Sequence, residues 1–208
     1  PHWSHDGSRI AFLAPNEEET QDRIYIYDLA TEKLSILKSP HNSHNRPTWS
    51  FDDKAIITAI YASEYTDLHA IDIASGESKR LTYSGARYGI MTSPTTLLFT
   101  QENTGLWQKE LNSDNPPLNK VSGDKFRTTY SWAHTNNGVY FIRTFSRHLR
   151  ITHFDYSSQT FTPIAKLPAR SISSRGALSY VPENDTLLFT HAAFPQADIQ
   201  KLNTPLLK

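Results

Sequence analysis

The chain has 208 residues and no cysteine, and its 21 Lys and Arg balance 21 Asp and Glu. Disulfides and thiolate metal centres are therefore excluded, and no excess charge draws the chain to a polyanion or a membrane surface. Aromatic residues make up 12%, with 12 Pro and 8 Gly. That mixture fits aromatic-filled sheet cores joined by many short turns, and no apolar run is long enough for a membrane-spanning helix.

The chain opens on Pro1-His2-Trp3-Ser4-His5-Asp6-Gly7, a turn that leads into Ile10-Ala11-Phe12. Ile24-Tyr25-Ile26-Tyr27-Asp28-Leu29 then alternates as a strand ending in an acid, and Ala30 to Lys33 turn it into Leu34-Ser35-Ile36-Leu37. The opening motif returns as Pro47-Thr48-Trp49-Ser50-Phe51-Asp52-Asp53 before Ala55-Ile56-Ile57. The alternating strand returns as Leu68 to Ile73, followed by the turn Ala74-Ser75-Gly76-Glu77 and Ser78 to Thr82. Weaker copies run from Thr96 to Leu111, from Tyr130 to Asp155 and from Leu178 to Leu202.

Self-similarity at a period of roughly 40 to 50 residues marks a repeat architecture whose units share one core. The expected fold is all-β, a β-propeller of about five four-stranded blades in a single domain, with repeats near 1–40, 41–84, 85–123, 124–167 and 168–208. A β-sandwich with similar hairpins would not require that period. Trp3, Trp49 and Trp132 are expected to be buried between neighbouring sheets. Asp53 stands where the first unit has Gly7, so the second turn is expected to differ. The fifth unit shows three strands, so the ring is expected to be completed by residues upstream of Pro1. A chain that starts at Pro rather than Met reads as the C-terminal part of a longer protein.

Pro-x-Trp-Ser-x-Asp-Gly, then Ile-Ala-Phe, then a strand ending in Asp and a Gly-containing turn before Leu-Thr, resembles the propeller repeat of the TolB family. The matching residues are Pro1, Trp3, Ser4, Asp6, Gly7, Ile10, Ala11 and Phe12, and then Pro47, Trp49, Ser50, Asp52, Asp72, Gly76, Leu81 and Thr82. These residues have a scaffold role that needs no function: an indole between sheets, and hydroxyls and carboxylates on turn amides. The degenerate repeats and the last strand, Ala197 to Leu202, resemble the C-terminal sensory propeller of membrane-anchored winged-helix regulators of the CadC/ToxR type. That resemblance implies a periplasmic domain of a bacterial inner-membrane protein whose missing N-terminal part binds DNA. The TolB resemblance implies instead a soluble periplasmic scaffold protein.

No helix-turn-helix pattern occurs in the chain, so no direct nucleic-acid binding is expected of it. It contains no G-x-S-x-G, Walker loop, G-x-G-x-x-G or H-E-x-x-H, so no catalytic residue, cofactor or metal site is expected. A gating propeller of a prolyl-oligopeptidase-type peptidase remains an alternative, with its hydrolase outside these residues. His41 and His44 lack a third ligand nearby in sequence and read as a solvated connection. The nine histidines as a group read as scattered and exposed.

Arginine recurs three residues ahead of an apolar anchor: Arg46 before Trp49, Arg87 before Ile90, Arg127 before Tyr130 and Arg175 before Leu178. In a propeller the first strand of each blade lines the channel. Side chains in the connection entering it would therefore sit at one channel mouth, with Tyr88, Tyr130 and Tyr180 near the same level. Such a mouth could hold a small acidic ligand or a carboxylate of a protein partner by bidentate hydrogen bonds. Local pairing of each arginine with a neighbouring acid is the alternative. The expected function is a non-catalytic sensor or protein-interaction propeller.

Overall fold

A computed structural model describes residues 1–16, 21–62, 65–83, 85–101, 104–112, 117–122, 132–168, 178–193 and 196–203. All the sheets in it are antiparallel and ordered as the chain runs. The first contains β1 (His2–Trp3), β2 (Arg9–Pro15), β3 (Asp22–Asp28) and β4 (Lys33–Ile36). The second contains β5 (His44–Trp49), β6 (Ala55–Ala62), β7 (Tyr65–Asp72) and β8 (Ser78–Arg80). The third contains β9 (Ala86–Met91), β10 (Thr96–Gln101), β11 (Gly105–Glu110) and β12 (Leu118–Ser122). The fourth contains β13 (Trp132–Thr135), β14 (Gly138–Thr144), β15 (His148–Asp155) and β16 (Phe161–Pro168). The last contains β17 (Leu178–Val181), β18 (Thr186–Ala193) and β19 (Gln196–Asn203). Among the described residues there are thus four complete four-stranded sheets and a three-stranded fifth, rather than five of four strands.

The chain divides into two compact units, residues 1–126 and 127–208. In the first unit the sheets stack face to face. Ala11, Ile24, Ile26 and Leu37 of the first sheet and its exit meet Trp49, Ile56 and Ile71 of the second. The opposite face of the second sheet sends Ile57, Ala59 and Leu68 toward Ala86, Met91, Leu97 and Phe99 of the third. Adjacent strand residues point to opposite faces, so Ile56 and Ile57 serve two different cores. That is why Ala55-Ile56-Ile57-Thr58-Ala59-Ile60 is nearly unbroken in apolar residues: a strand buried on both faces has no polar side to alternate with. In the second unit Ala133, Tyr140, Ile142, Leu149 and Ile151 meet Leu178, Leu187 and Phe189.

The turns follow the motif chemistry. Ser4 Oγ donates to Asp6 Oδ1 at 2.7 Å and Ser50 Oγ to Asp52 Oδ1 at 2.7 Å, and each Asp also accepts a downstream amide, from Ser8 and Lys54. The hydroxyls of Ser4 and Ser8 hold the Asp6 carboxyl down at about 2. The acids that end the third strands cap the next turn: Asp28, Asp72 and Asp155 accept the amides of Thr31, Ser75 and Ser158 at 2.8, 2.7 and 2.8 Å.

Two expectations about this scaffold need correction. Trp49 and Trp132 are buried, but Trp3 is 55% exposed. Trp49 lies between two sheets and donates from Nε1 to the His2 carbonyl at 3.0 Å. Trp3 lies on the short leading strand β1 of the first sheet. The turn at Asp53 does not differ from its counterpart. Gly7 has φ +70° and Asp53 φ +56°, and both donate their amide to the serine three residues back at 3.0 Å. Asp tolerates the left-handed region because its short side chain finds local hydrogen bonds.

Candidate functional site

In the first unit β1 approaches β5 and β5 approaches β9, so the leading strands lie side by side as an inner row. Two of these strands are bulged. In β5, Asn45 pairs with Ala59 and Thr48 with Ile57, so Arg46 and Pro47 together face Thr58. In β9, Tyr88 pairs with Thr100 and Ala86 with Gln101, so Arg87 is the extra residue. A bulge bends the strand and re-aims its side chains, and bulges concentrate at rims and binding sites. Arg46 has φ +47°, an uncommon conformation for a non-glycine residue.

Arg46 and Arg87 therefore sit within the inner strands and not in the connections ahead of them, and their common offset does not survive register. Met91 pairs with Leu97 one residue before the hairpin bond Thr92 N to Thr96 O, as Trp49 pairs with Ile56 before Ser50 N to Ala55 O. Met91, not Ile90, is thus the counterpart of Trp49, and Arg87 stands four residues before it. In the last sheet Tyr180 pairs with Leu187 next to the hairpin and donates its hydroxyl to Asp185 at 3.0 Å. Tyr180 accordingly occupies the hairpin end of its strand, whereas Tyr88 occupies the far end of β9. Arg127, Tyr130 and Arg175 lie outside the described residues.

Arg46 lies near enough to Tyr88 for its charge to act on the phenol. Thr48 Oγ1 donates to the Gly89 carbonyl at 2.7 Å, clamping β5 to β9 beside both bulges. Gly89 also lets Leu68 of β7 pack onto this strand, since a Cβ there would stand 2.5 Å from Leu68 Cδ1 and 3.1 Å from Phe99 Cβ. Burial pushes the half-buried Tyr88 phenol up to about 12, against the opposing pull of the Arg46 guanidinium. At neutral pH the phenol is a protonated donor beside a guanidinium, and Arg87 adds a second cation from the adjacent residue.

The connection holding His41 and His44 is not simply solvated. His44 is 8% exposed and its Nε2 bonds the His41 carbonyl at 3.0 Å, while its Nδ1 has no hydrogen bond among the described residues. Burial pushes its imidazole down to about 4. His41 Nε2 meets Ser78 Oγ at 2.9 Å, and His69 Nδ1 meets the same hydroxyl at 3.0 Å. The two rings are 4.8 Å apart, edge to face. Sequence spacing missed His69 because it comes from β7, and only the alternation that puts His69 and Asp67 on one face hinted at it. No group of three His, Cys, Asp or Glu among the described residues could hold a metal ion.

Successive four-stranded antiparallel sheets, leading strand innermost, define the class: the fold is that of a β-propeller. No family model and no curated protein matches the sequence. TolB from Acinetobacter baumannii superposes with a TM-score of 0.78 at 16% identity, over 98% of this chain and 51% of that one. A putative TolB from Agrobacterium tumefaciens gives 0.70 at 13% identity, over 96% and 73%. A puromycin-hydrolyzing peptidase of Mycobacterium tuberculosis gives 0.60 at 11% identity, over 94% and 35%. The chain thus spans about half the length of the Acinetobacter protein, and at these identities the likeness is one of fold.

Proposed function

We propose that this chain is a non-catalytic recognition propeller that binds an acidic ligand, or a carboxylate-bearing loop of a protein partner, at Arg46, Arg87 and Tyr88. The observation that carries the reading is the pair of bulged inner strands clamped by Thr48 and Gly89, with Arg46 acting on the Tyr88 phenol across the clamp. A rigid scaffold with polar groups on its rim suits recognition better than turnover. In the fuller form of the reading, the chain is the periplasmic C-terminal sensory domain of a membrane-anchored regulator, and DNA binding lies in another domain of that protein. A TolB-like periplasmic scaffold protein would use the same rim.

The test is calorimetric titration of the full chain with hexaglutamate and with citrate at low salt. Arg46→Ala and Arg87→Ala should each weaken binding several-fold, and binding should fall as ionic strength rises. Affinity unchanged in both variants would refute the site. The likeness to a peptidase propeller favours a second reading, a gating module, and turnover of proline-containing peptides by the purified chain would displace the non-catalytic one.

A further inference from the structure

A cavity of about 450 Å³ lies where the β4–β5 connection crosses the second sheet. Its walls include His41 and Asn42 from the connection, Tyr61 from β6, Asp67 and His69 from β7, and Arg80 from β8. The volume falls within the range of small-molecule sites, roughly 300 to 1,000 Å³. The inner-strand residues described above take no part in it.

The charges in the walls cancel at short range. Asp67 is 3% exposed, and its carboxylate accepts Arg80 Nη2 at 2.5 Å, Thr82 Oγ1 at 2.9 Å and the Gly85 amide at 3.3 Å. Arg80 also donates Nε to the Thr82 carbonyl at 2.9 Å and lies 4.5 Å over the Tyr83 ring. The Asp67 carboxylate and the Arg80 guanidinium therefore neutralise each other within the wall. Burial, with His41 and Arg80 beside it, pushes the His69 imidazole down to about 4, so it is neutral at pH 7.

What remains is a set of hydrogen-bonding groups around one aromatic face. Ser78 occupies one ring nitrogen of each imidazole, and the others, His41 Nδ1 and His69 Nε2, make no hydrogen bond among the described residues. A neutral imidazole nitrogen offers either a donor or an acceptor, and the exposed Asn42 amide offers both. Tyr61 is 48% exposed, and its hydroxyl is fixed by Asn45 Nδ2 at 2.9 Å, so the ring is held in place beside the cavity. Vicinal hydroxyls need closely spaced donors and acceptors, and the C–H face of a sugar ring needs a flat apolar surface.

We propose that this cavity binds a neutral polyhydroxylated ligand, a mono- or disaccharide, with His41, Asn42 and His69 on its hydroxyls and Tyr61 against its ring. The probes are glucose, N-acetylglucosamine, maltose and chitobiose, each read by saturation-transfer NMR on the full chain at pH 7.5. At least one should show transfer, and Tyr61→Ala should weaken that binding by roughly tenfold, the usual scale for losing an aromatic contact. Asn42→Ala should weaken it several-fold, while Arg46→Ala should leave it unchanged. Tyr61 and Asn42 are exposed, so both variants should keep the parent melting temperature, and the comparison excludes any that does not. Absence of transfer from all four sugars overturns the proposal. So does transfer that survives both cavity substitutions, or displacement of the sugar by citrate or spermidine at matched ionic strength.

Discussion

Asp53 replaces a turn glycine and yet preserves the turn, so its side chain must contribute something glycine cannot. Its Oδ1 accepts the His5 amide at 3.0 Å and His5 Nδ1 at 2.8 Å, and its Oδ2 accepts the Asp6 amide at 3.0 Å. Its backbone carbonyl accepts Arg9 Nη2 at 2.7 Å, and that guanidinium lies 4.7 Å over the Trp49 ring. One residue therefore ties the first turn of the second sheet to the first turn of the preceding one. A hydrogen bond to a charged group contributes about 1.5–3 kcal/mol, but His5 and Asp6 are exposed and water would replace the lost partner. About 2 kcal/mol for the three bonds together is the reasonable net, close to the loss of a strong cap. Asp53→Gly recovers about 1 kcal/mol of left-handed strain and should lose about 1 overall, whereas Asp53→Ala retains the strain and should lose about 2. At roughly 2–4 °C per kcal/mol for a chain of this size, calorimetry should order the melting temperatures as parent, then Gly, then Ala. Burial works to raise the Asp53 carboxyl, but the His5 and Asp6 contacts prevail and hold it below its ordinary value. Its contribution is therefore complete above the unfolded value near pH 4 and lost as pH falls through the lower folded value, so in acid the parent should converge with the Ala variant, which shares its strain, and fall below the Gly variant. A Gly variant as stable as the parent at pH 7 would refute the reasoning, because it would show that the strain outweighs the cross-turn bonds.

Other perturbations read separate parts of the molecule. Gly138→Ala should cost several kcal/mol in urea unfolding, because the new Cβ would overlap the Phe154 carbonyl oxygen across β14 and β15, where no side chain can yield. Arg80→Ala should cost about 2 kcal/mol by the same assay. It takes from the buried Asp67 carboxylate its guanidinium partner, and the loss is smaller than for a fully buried pair because the arginine side chain is 42% exposed. His44 has a folded pKa of about 4 against 6.5 unfolded, so the unfolded chain binds more protons between those values and stability should fall as pH drops through that window. For this one residue the loss at pH 5 is about 2 kcal/mol, and His44→Gln should remove it from the pH profile of the urea midpoint. The double variant Arg46→Ala, Arg87→Ala should shift the melting temperature by only about 2 °C, since both side chains are half-buried at a rim; a large drop would assign them to the scaffold.

The sheets were legible in the sequence because their determinants are local. Period-two alternation, the Ser-x-Asp turns and the strand-ending acids Asp28, Asp72 and Asp155 each act within a few residues, and all of them appear in the hydrogen bonds. Trp3 misled because its motif is complete while its burial depends on a neighbouring sheet, which a motif does not encode. The arginine pattern misled for a different reason. A bulge adds one residue to a strand without leaving a mark in apolar periodicity, so counting back from Ile90 instead of Met91 turned offsets of three and four into an apparent repeat. The same bulges nevertheless bring Arg46 to Tyr88, so part of the expected mouth arises from an irregularity and not from the repeat itself. The histidine cavity was hidden at a further level. His41 and His69 meet only because the β4–β5 connection folds back over β7 and both rings bond one hydroxyl, Ser78. In repeat folds the scaffold is periodic and can be read, whereas binding groups collect where the period breaks, at bulges and at connections that cross a sheet. Here the two broken places differ in charge: one carries two guanidiniums beside a protonated phenol, and the other is neutralised by its own Asp67–Arg80 pair. That difference predicts salt-sensitive binding at the first and salt-insensitive binding at the second, so one ionic-strength series with hexaglutamate and the active sugar would separate the two sites without any mutation.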